Sequence, residues 1–175
     1  MRAAIVYYSL EGNTGAAVKA LRDKLVQRDM QVSLTELKTT KPYPKKGLAK
    51  FLFGGKDASF GRTPELAPYD FDDAGYDLVV LALPVWAGKA AAPINSFLQR
   101  HRLSAGKVAL VIASASGDAV SCAKDLATKL GRAVETMPTL SLKNPGKLPA
   151  AELDAALDGF AAQLADAPRG GGGAF

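Results

Sequence analysis

A turn rich in hydroxyl groups and glycine follows the first apolar run of the sequence. The run is "AAIVYY" (3–8), and "SLEGNTG" joins it to a segment with the apolar spacing of a helix. Backbone N–H groups at a helix start have no partner within the helix and lie at the positive end of its dipole, so they attract an anion. Ser9, Asn13 and Thr14 add side-chain donors, and the glycines let the backbone come close to a bound group. The turn therefore predicts a phosphate site, although the same residues would also cap an ordinary helix.

Two other kinds of phosphate loop are excluded by the sequence. The nucleoside triphosphate loop needs G-x-x-x-x-G-K-[ST], and the dinucleotide loop needs G-x-G-x-x-G. Neither pattern occurs in the chain. The uncharged donors of the first turn suit a terminal monophosphate.

The only tryptophan of the chain, Trp86, stands in a second candidate stretch, "LPVWAGKAAAP" (83–93). It follows a long apolar run and lies two residues before Gly88. An indole at this position can stack on a flat ring, while main-chain N–H groups next to a glycine bind the edge of that ring. The alternative is a tryptophan that closes the hydrophobic core.

A third candidate stretch is "SASGDAVSC" (114–122), which also follows an apolar run and precedes a helix-like segment. Its small side chains and Gly117 would let the backbone approach a ligand closely. One such turn is an ordinary connection between a strand and a helix. Three of them, after apolar runs that suit neighbouring interior strands of one sheet, indicate a shared binding site.

The elements that must position these turns follow a regular alternation. Apolar runs lie at 3–8, 31–37, 77–85 and 107–114, with a weaker fifth at 133–140, and helix-like segments lie near 14–29, 92–102, 119–131 and 150–165. Runs that are apolar on both faces are typical of interior strands of a parallel sheet covered by helices. The order predicts an α/β fold with a doubly wound parallel sheet. Ligands of such sheets bind at the carboxyl ends of the strands, where the three turns would lie.

One domain is expected, over residues 1–167, because the 175-residue chain is the size of a single hydrophobic core. The connection 39–76 is too long for a plain loop, so we expect it to have a function or to be disordered. The segment 168–175 ("PRGGGGAF") lacks any packing pattern and is expected to be a disordered tail.

Composition narrows the classes of function. A single cysteine and a single histidine argue against an internal disulfide and against a multi-histidine metal site. With no stretch long enough for a membrane span, we expect a cytoplasmic protein. The formal net charge of +5 is concentrated in residues 38–62, where seven basic residues face Asp57 alone. This distribution favours a local partner over a nucleic acid, and a solvated loop is the alternative.

The first and third-strand motifs resemble those of the flavodoxin family. "VYYSLEGNT" is similar to the phosphate loop of flavodoxins, and "DLVVLALPVWAGKAAAPINSFL" is similar to flavodoxin-family proteins and FMN-dependent oxidoreductases. The resemblance covers about residues 3–165 and implies a five-stranded sheet of order 2-1-3-4-5, helices on both faces, and noncovalent FMN. It implies that the phosphate is surrounded by Ser9, Leu10, Glu11, Gly12, Asn13 and Thr14, the isoalloxazine by Pro84, Val85, Trp86, Ala87 and Gly88, and its pyrimidine side by Ser114, Ala115, Ser116 and Gly117.

The resemblance also implies a redox function in which the flavin, and no side chain, carries the chemistry. The leading hypothesis is an FMN-dependent oxidoreductase that passes electrons to a small, quinone-like acceptor, with NAD(P)H as a possible donor and a homodimer as a possible assembly. The alternatives are a one-electron carrier that docks on redox proteins through the basic segment, and a binding module of the same fold that has lost FMN. Carrier flavodoxins are typically acidic, whereas this chain is basic, and the loop after the fourth strand lacks the aromatic residue that many of them have there.

Overall fold

The computed structural model describes residues 1–44, 56–72, 74–117 and 119–166. Its strands are β1 (Arg2–Tyr7), β2 (Gln31–Glu36), β3 (Leu78–Trp86), β4 (Lys89–Ala90), β5 (Lys107–Ser114) and β6 (Thr139–Lys143). The α-helices with both ends in the described ranges are α1 (Asn13–Val26), α2 (Ala92–Arg100), α3 (Val120–Leu130) and α4 (Ala150–Asp166), and residues 56–59 are also helical. Single 3₁₀ turns lie at Val134–Thr136 and Pro145–Lys147. The expected tail, 168–175, lies outside the described residues.

Five of the strands form one parallel sheet in the order β2-β1-β3-β5-β6. In this sheet β5 and β6 are the fourth and fifth parallel strands along the chain, so the predicted order 2-1-3-4-5 is confirmed. The strand β4 lies off this path and pairs antiparallel with the end of β3. Because the four ladders between these five strands are parallel, the carboxyl ends of the strands meet at one edge of the sheet.

Both faces of the sheet are buried, which explains why its interior strands are apolar without interruption. Along β3, the side chains of Val79, Leu81 and Leu83 pack in the core that α2 and α3 cover. Val80 and Ala82, which alternate with them, pack in the core under α1 and α4. Successive side chains of a strand point to opposite faces, so a strand covered on both sides has no polar position.

The predicted fifth strand, 133–140, is wrong in its position. The structure has a 3₁₀ turn at Val134–Thr136 and places the strand at Thr139–Lys143. Pro138, which lies between them, has no N–H to donate to a ladder, but its carbonyl accepts a hydrogen bond from Leu110 N–H at 2.8 Å. The apolar residues before it therefore belong to a turn, while Leu140 and Leu142 have the two-residue spacing of the real edge strand.

The long connection after β2 is anchored at both of its described ends. Thr39 and Leu66 form an antiparallel bridge. Ser96 in α2 donates its hydroxyl to the Pro64 carbonyl at 2.6 Å, and Thr35 in β2 donates to the Asp70 carbonyl at 3.0 Å. These contacts hold the described ends of the connection against β2 and α2.

None of the helices in the described ranges has the length and apolar character needed to cross a membrane.

A tight hairpin extends β3 beyond the sheet. Ala87 and Gly88 join β3 to β4, and both have positive φ, 48° and 76° respectively. Positive φ at both central residues is what a two-residue type I′ turn requires, and it is unfavourable for alanine. The hairpin pairs Trp86 with Lys89, so it fixes the backbone of the tryptophan.

This turn predicts a stabilising substitution. Ala87→Asn creates the Asn-Gly pair that type I′ turns prefer, and we expect the free energy of unfolding to rise by about 0.5–1 kcal/mol. For a chain of this length, thermal denaturation should show a midpoint about 1–4 °C higher. The opposite control is Gly88→Ala, which places a side chain at a φ of 76° and should lower the midpoint. Equal midpoints for Ala87→Asn and the parent protein would contradict the positive φ at Ala87.

Candidate functional site

The carboxyl ends of β1, β3 and β5 open on one cavity of about 460 Å³. The first predicted turn contributes Ser9, Leu10, Glu11, Asn13 and Thr14 to its wall. The third strand contributes Pro84, Val85, Trp86 and Ala87, and the segment at the end of β5 contributes Ala113, Ser114 and Ala115. Residues that are far apart in the sequence therefore surround one space, at the edge where ligands of such sheets bind.

Four of the residues predicted for the site belong to its turns and are not among the lining residues. Gly12 is the N-cap of α1, and Gly88 is the second residue of the hairpin turn. Ser116 is exposed, and Gly117 follows it in the loop after β5. These residues shape the backbone that carries the lining side chains.

The first turn is built as a helix start with available N–H groups. Gly12 has a φ of 95°, which favours glycine, and its carbonyl accepts the first helical hydrogen bond, from Ala16 N–H at 2.9 Å. The N–H of Gly15 donates to the Ser9 hydroxyl at 3.1 Å. Helix geometry leaves the N–H groups of Asn13 and Thr14 without an acceptor inside α1. A ligand in the cavity can accept hydrogen bonds from them.

The Thr14 hydroxyl is a buried polar group at the wall of the cavity. The residue is 4% exposed and lines the cavity. Within the described part of the chain, its hydroxyl makes no hydrogen bond. A buried hydroxyl left unpaired costs about 1–3 kcal/mol, and a hydrogen bond to a ligand in the cavity would remove that cost.

The described wall of the cavity carries little formal charge. Among the lining residues that the structure describes, Glu11 is the one charged side chain, and it is exposed to solvent. The described lining residues would therefore hold an anion by N–H groups, hydroxyls and the positive end of the α1 dipole.

Trp86 lies between the core and the cavity. Its ring packs edge-on against Tyr8, with centroids 5.5 Å apart, and against Tyr43, with centroids 5.0 Å apart. The Tyr43 hydroxyl donates to Asp57 at 2.7 Å, and burial together with this bond raises the pKa of Tyr43 well above its usual value. The two interpretations of Trp86 are therefore compatible, because the indole packs against the core and also lines the cavity.

Besides Ala113, the penultimate residue of β5, the lining residues that the sequence reasoning missed are Asn144 and Pro145. They follow β6, which the sequence analysis placed several residues too early. The Asn-Pro dipeptide is itself a turn signal. Placed after the correct strand, it would have indicated another turn at the carboxyl edge.

No protein-family model matches the sequence, and no curated protein is significantly similar to it. Solved structures are similar in fold. A flavoprotein from Lactobacillus acidophilus in complex with FMN is 22% identical with a TM-score of 0.63, over 81% of this chain and 91% of that chain. A flavodoxin from Streptococcus pneumoniae is 18% identical with a TM-score of 0.59, over 94% and 98% of the two chains.

An NAD(P)H:quinone oxidoreductase from Methanothermobacter marburgensis is 12% identical with a TM-score of 0.52, over 94% of each chain. Identities this low establish the fold alone. Together with the parallel strand order and the helices on both faces, these likenesses show that the chain has the flavodoxin-like fold.

Proposed function

We propose that the protein binds FMN noncovalently and acts as an FMN-dependent oxidoreductase that passes electrons to a small, quinone-like acceptor. The observation that carries this proposal is the single cavity that joins the α1 N-terminus to Trp86. The helix start offers donors for one phosphate, and the indole offers an apolar face for a flat ring.

The residues present fit FMN at both ends. At the phosphate end, the donors are the Thr14 hydroxyl, which has no acceptor among the described residues, and the N–H groups of Asn13 and Thr14, which have none inside α1. At the ring end, Trp86 and Val85 give apolar surface, and Ser114 and Ala115 line the same cavity. A dinucleotide would need the glycine-rich fingerprint that the chain lacks. FMN is therefore favoured over FAD.

Bound FMN supplies the electron or hydride transfer, and the protein binds and orients it. The hydrogen-bond donors of the first turn would fix the phosphate, and the Trp86 indole would pack against the flavin ring. Thiolate redox chemistry has no support here, because burial raises the pKa of the Cys122 thiol to about 12. Tyr8, behind Trp86, also stays protonated, because burial raises its pKa to about 12.

The basic segment supports a second candidate, a carrier that exchanges electrons with an acidic redox protein. Of its described residues, Lys41 and Lys56 are exposed, Lys38 pairs with Glu36 at 3.2 Å, and Arg62 pairs with Asp57 at 3.5 Å. Lys45, Lys46 and Lys50 lie outside the described residues. The segment begins directly after β2, at the carboxyl edge of the sheet where the cavity lies. Its charge would attract an acidic protein or the phosphates of NAD(P)H.

The phosphate assignment predicts a selective loss of affinity. Thr14→Val removes a hydroxyl that would bind a charged group, so the Kd for FMN should rise about ten- to a hundredfold. The Kd for riboflavin, which has no phosphate, should stay unchanged. Both are measured by fluorescence titration of the flavin-free protein. Thr128→Val is the matched control, since that hydroxyl donates to the Lys124 carbonyl of its own helix at 3.0 Å. An unchanged Kd for FMN in Thr14→Val would contradict the assignment of Thr14 to the phosphate site.

The ring assignment predicts quenching of the single tryptophan. FMN binding should decrease Trp86 fluorescence, since the indole would lie against the flavin. Trp86→Ala should raise the Kd for FMN by about fivefold or more, through lost contact area and stacking. Trp86→Phe, which keeps an aromatic ring beside Tyr8 and Tyr43, should have a smaller effect. Tryptophan emission that is the same with and without FMN would leave Trp86 as a core residue only.

The charge of the basic segment predicts a rate effect without an affinity effect. The double variant Lys41→Gln, Lys56→Gln should slow the second-order reduction of the bound flavin by NADPH at low salt. The difference should vanish near 1 M salt, where the Debye length falls to about 3 Å. FMN affinity should be unchanged, because neither lysine lines the cavity. Stopped-flow absorbance measures the rates, with Lys19→Gln on α1 as a control. If the double variant and the parent have equal salt slopes, the segment is a solvated loop.

A further inference from the structure

Hydrogen bonds from β6 and the residue after it hold the loop that follows β5. The N–H of Asn144 donates to the Ser114 carbonyl at 2.9 Å, and the Asn144 side-chain Nδ2 donates to the Ala115 carbonyl at 3.0 Å. The hydroxyl of Ser141 donates to the Gly117 carbonyl at 2.8 Å. Three carbonyls of one four-residue stretch are thus fixed by β6 and the residue that follows it.

Fixing these carbonyls also fixes the opposite sides of their peptides. A peptide unit is planar and trans, so a held Ser114 carbonyl sets the direction of the Ala115 N–H. In the same way, the held Ala115 carbonyl sets the direction of the Ser116 N–H. The loop that lines one wall of the cavity therefore takes its backbone orientation from Asn144.

Asn144 is itself held in a defined conformation. Its φ of 44° and ψ of 57° are left-handed, a region that asparagine tolerates better than most residues. Pro145 follows it in a 3₁₀ turn, and the Lys147 N–H closes this turn on the Asn144 carbonyl at 2.7 Å. The proline fixes one backbone angle, so it restricts the turn that carries Asn144.

The same turn touches the other half of the cavity at Gly146. A Cβ added to Gly146 would stand only 2.7 Å from Cγ of Asn13, the first residue of α1. Gly146 has no positive φ, so what a Cβ here would meet is the Asn13 side chain, which would have to turn aside. The Asn13 side chain therefore packs directly on the backbone of this turn.

We propose that the turn Asn144–Gly146, here named the β6 turn, positions both halves of the flavin site. Asn144 acts on the flavin ring through the loop Ser114–Gly117, and Gly146 acts on the phosphate through Asn13. Both are positioning residues that act through others. The inference rests on the proposed binding of FMN.

Two substitutions separate the two ends of the β6 turn. Asn144→Gly keeps the left-handed backbone but removes the bond to Ala115, so the Kd for FMN and for riboflavin should rise by the same factor, about three- to tenfold. Gly146→Ala displaces Asn13 and should raise the Kd for FMN by about threefold or more, a loss of one weak hydrogen bond, with the Kd for riboflavin unchanged. Both are measured by fluorescence titration of the full flavin-free chain. Gly159→Ala is the matched control, because a Cβ there meets no atom within 4 Å.

A second readout needs no flavin. In the flavin-free chain, the Gly117 N–H donates to the buried Ser114 hydroxyl at 2.8 Å, and Asn144→Gly should speed its amide exchange. Gly146→Ala should leave that rate unchanged. Asn144→Asp replaces a donor with a charged acceptor facing the Ala115 carbonyl. It should therefore raise the Kd for both flavins and the exchange rate of the Gly117 amide more than Asn144→Gly does.

The outcomes distinguish this inference from the function on which it rests. The positioning role is refuted, and the proposed function stands, if the wild-type protein binds FMN but Asn144→Gly changes neither the Kd for riboflavin nor the exchange rate of the Gly117 amide. If Gly146→Ala raises the Kd for riboflavin as much as the Kd for FMN, Gly146 does not act on the phosphate through Asn13, and that half of the proposal is refuted. If the wild-type protein binds neither flavin, both proposals fall.

Discussion

The parallel ladder of the five-stranded sheet is the constraint on which the rest of the structure depends. Parallel strands need helical crossovers, and in this chain the crossovers bury both faces of the sheet. The same geometry places the carboxyl end of every strand at one edge. The turns after β1, β3, β5 and β6 therefore meet around one cavity, although about 130 residues of sequence separate the first from the last.

Some polar groups at this cavity make no hydrogen bond to the described part of the chain. The helix start keeps the N–H groups of Asn13 and Thr14 clear of helical acceptors, and the buried Thr14 hydroxyl has no partner in the described chain. Such groups lower the stability of the free protein by about 1–3 kcal/mol each when they are fully unpaired. Binding of a phosphate would offset that cost, so stability and ligand affinity are linked at this site.

Backbone strain is found at the same edge. In the described chain, four non-glycine residues have a positive φ, and two of them, Ala87 and Asn144, line the cavity. Ala87 lies in the hairpin that carries Trp86, and Asn144 holds the loop after β5. Residues in such conformations persist only where surrounding contacts determine them. Here those contacts are the β3–β4 pairing and the hydrogen bonds between the two carboxyl-edge turns.

The sequence by itself determined the elements whose pattern is local and strong. Runs apolar on both faces, such as 107–114, predicted the interior strands, and the glycine and hydroxyl residues before 14–29 predicted a helix start that can bind an anion. It failed where the local pattern was ambiguous: Pro138 divides an apolar stretch whose first half is a turn, so the last strand was placed too early. That error hid Asn144.

Only the tertiary structure decided which turns touch one another. The pairing of β5 with β6 brings Asn144 to the Ser114 carbonyl, and the crossover through α1 brings Asn13 to Gly146. The packing of Tyr43 and Tyr8 on Trp86 likewise joins segments about 35 to 80 residues apart. Such contacts depend on strand order and register, which are set by long-range burial, and no local spacing of residue types encodes them.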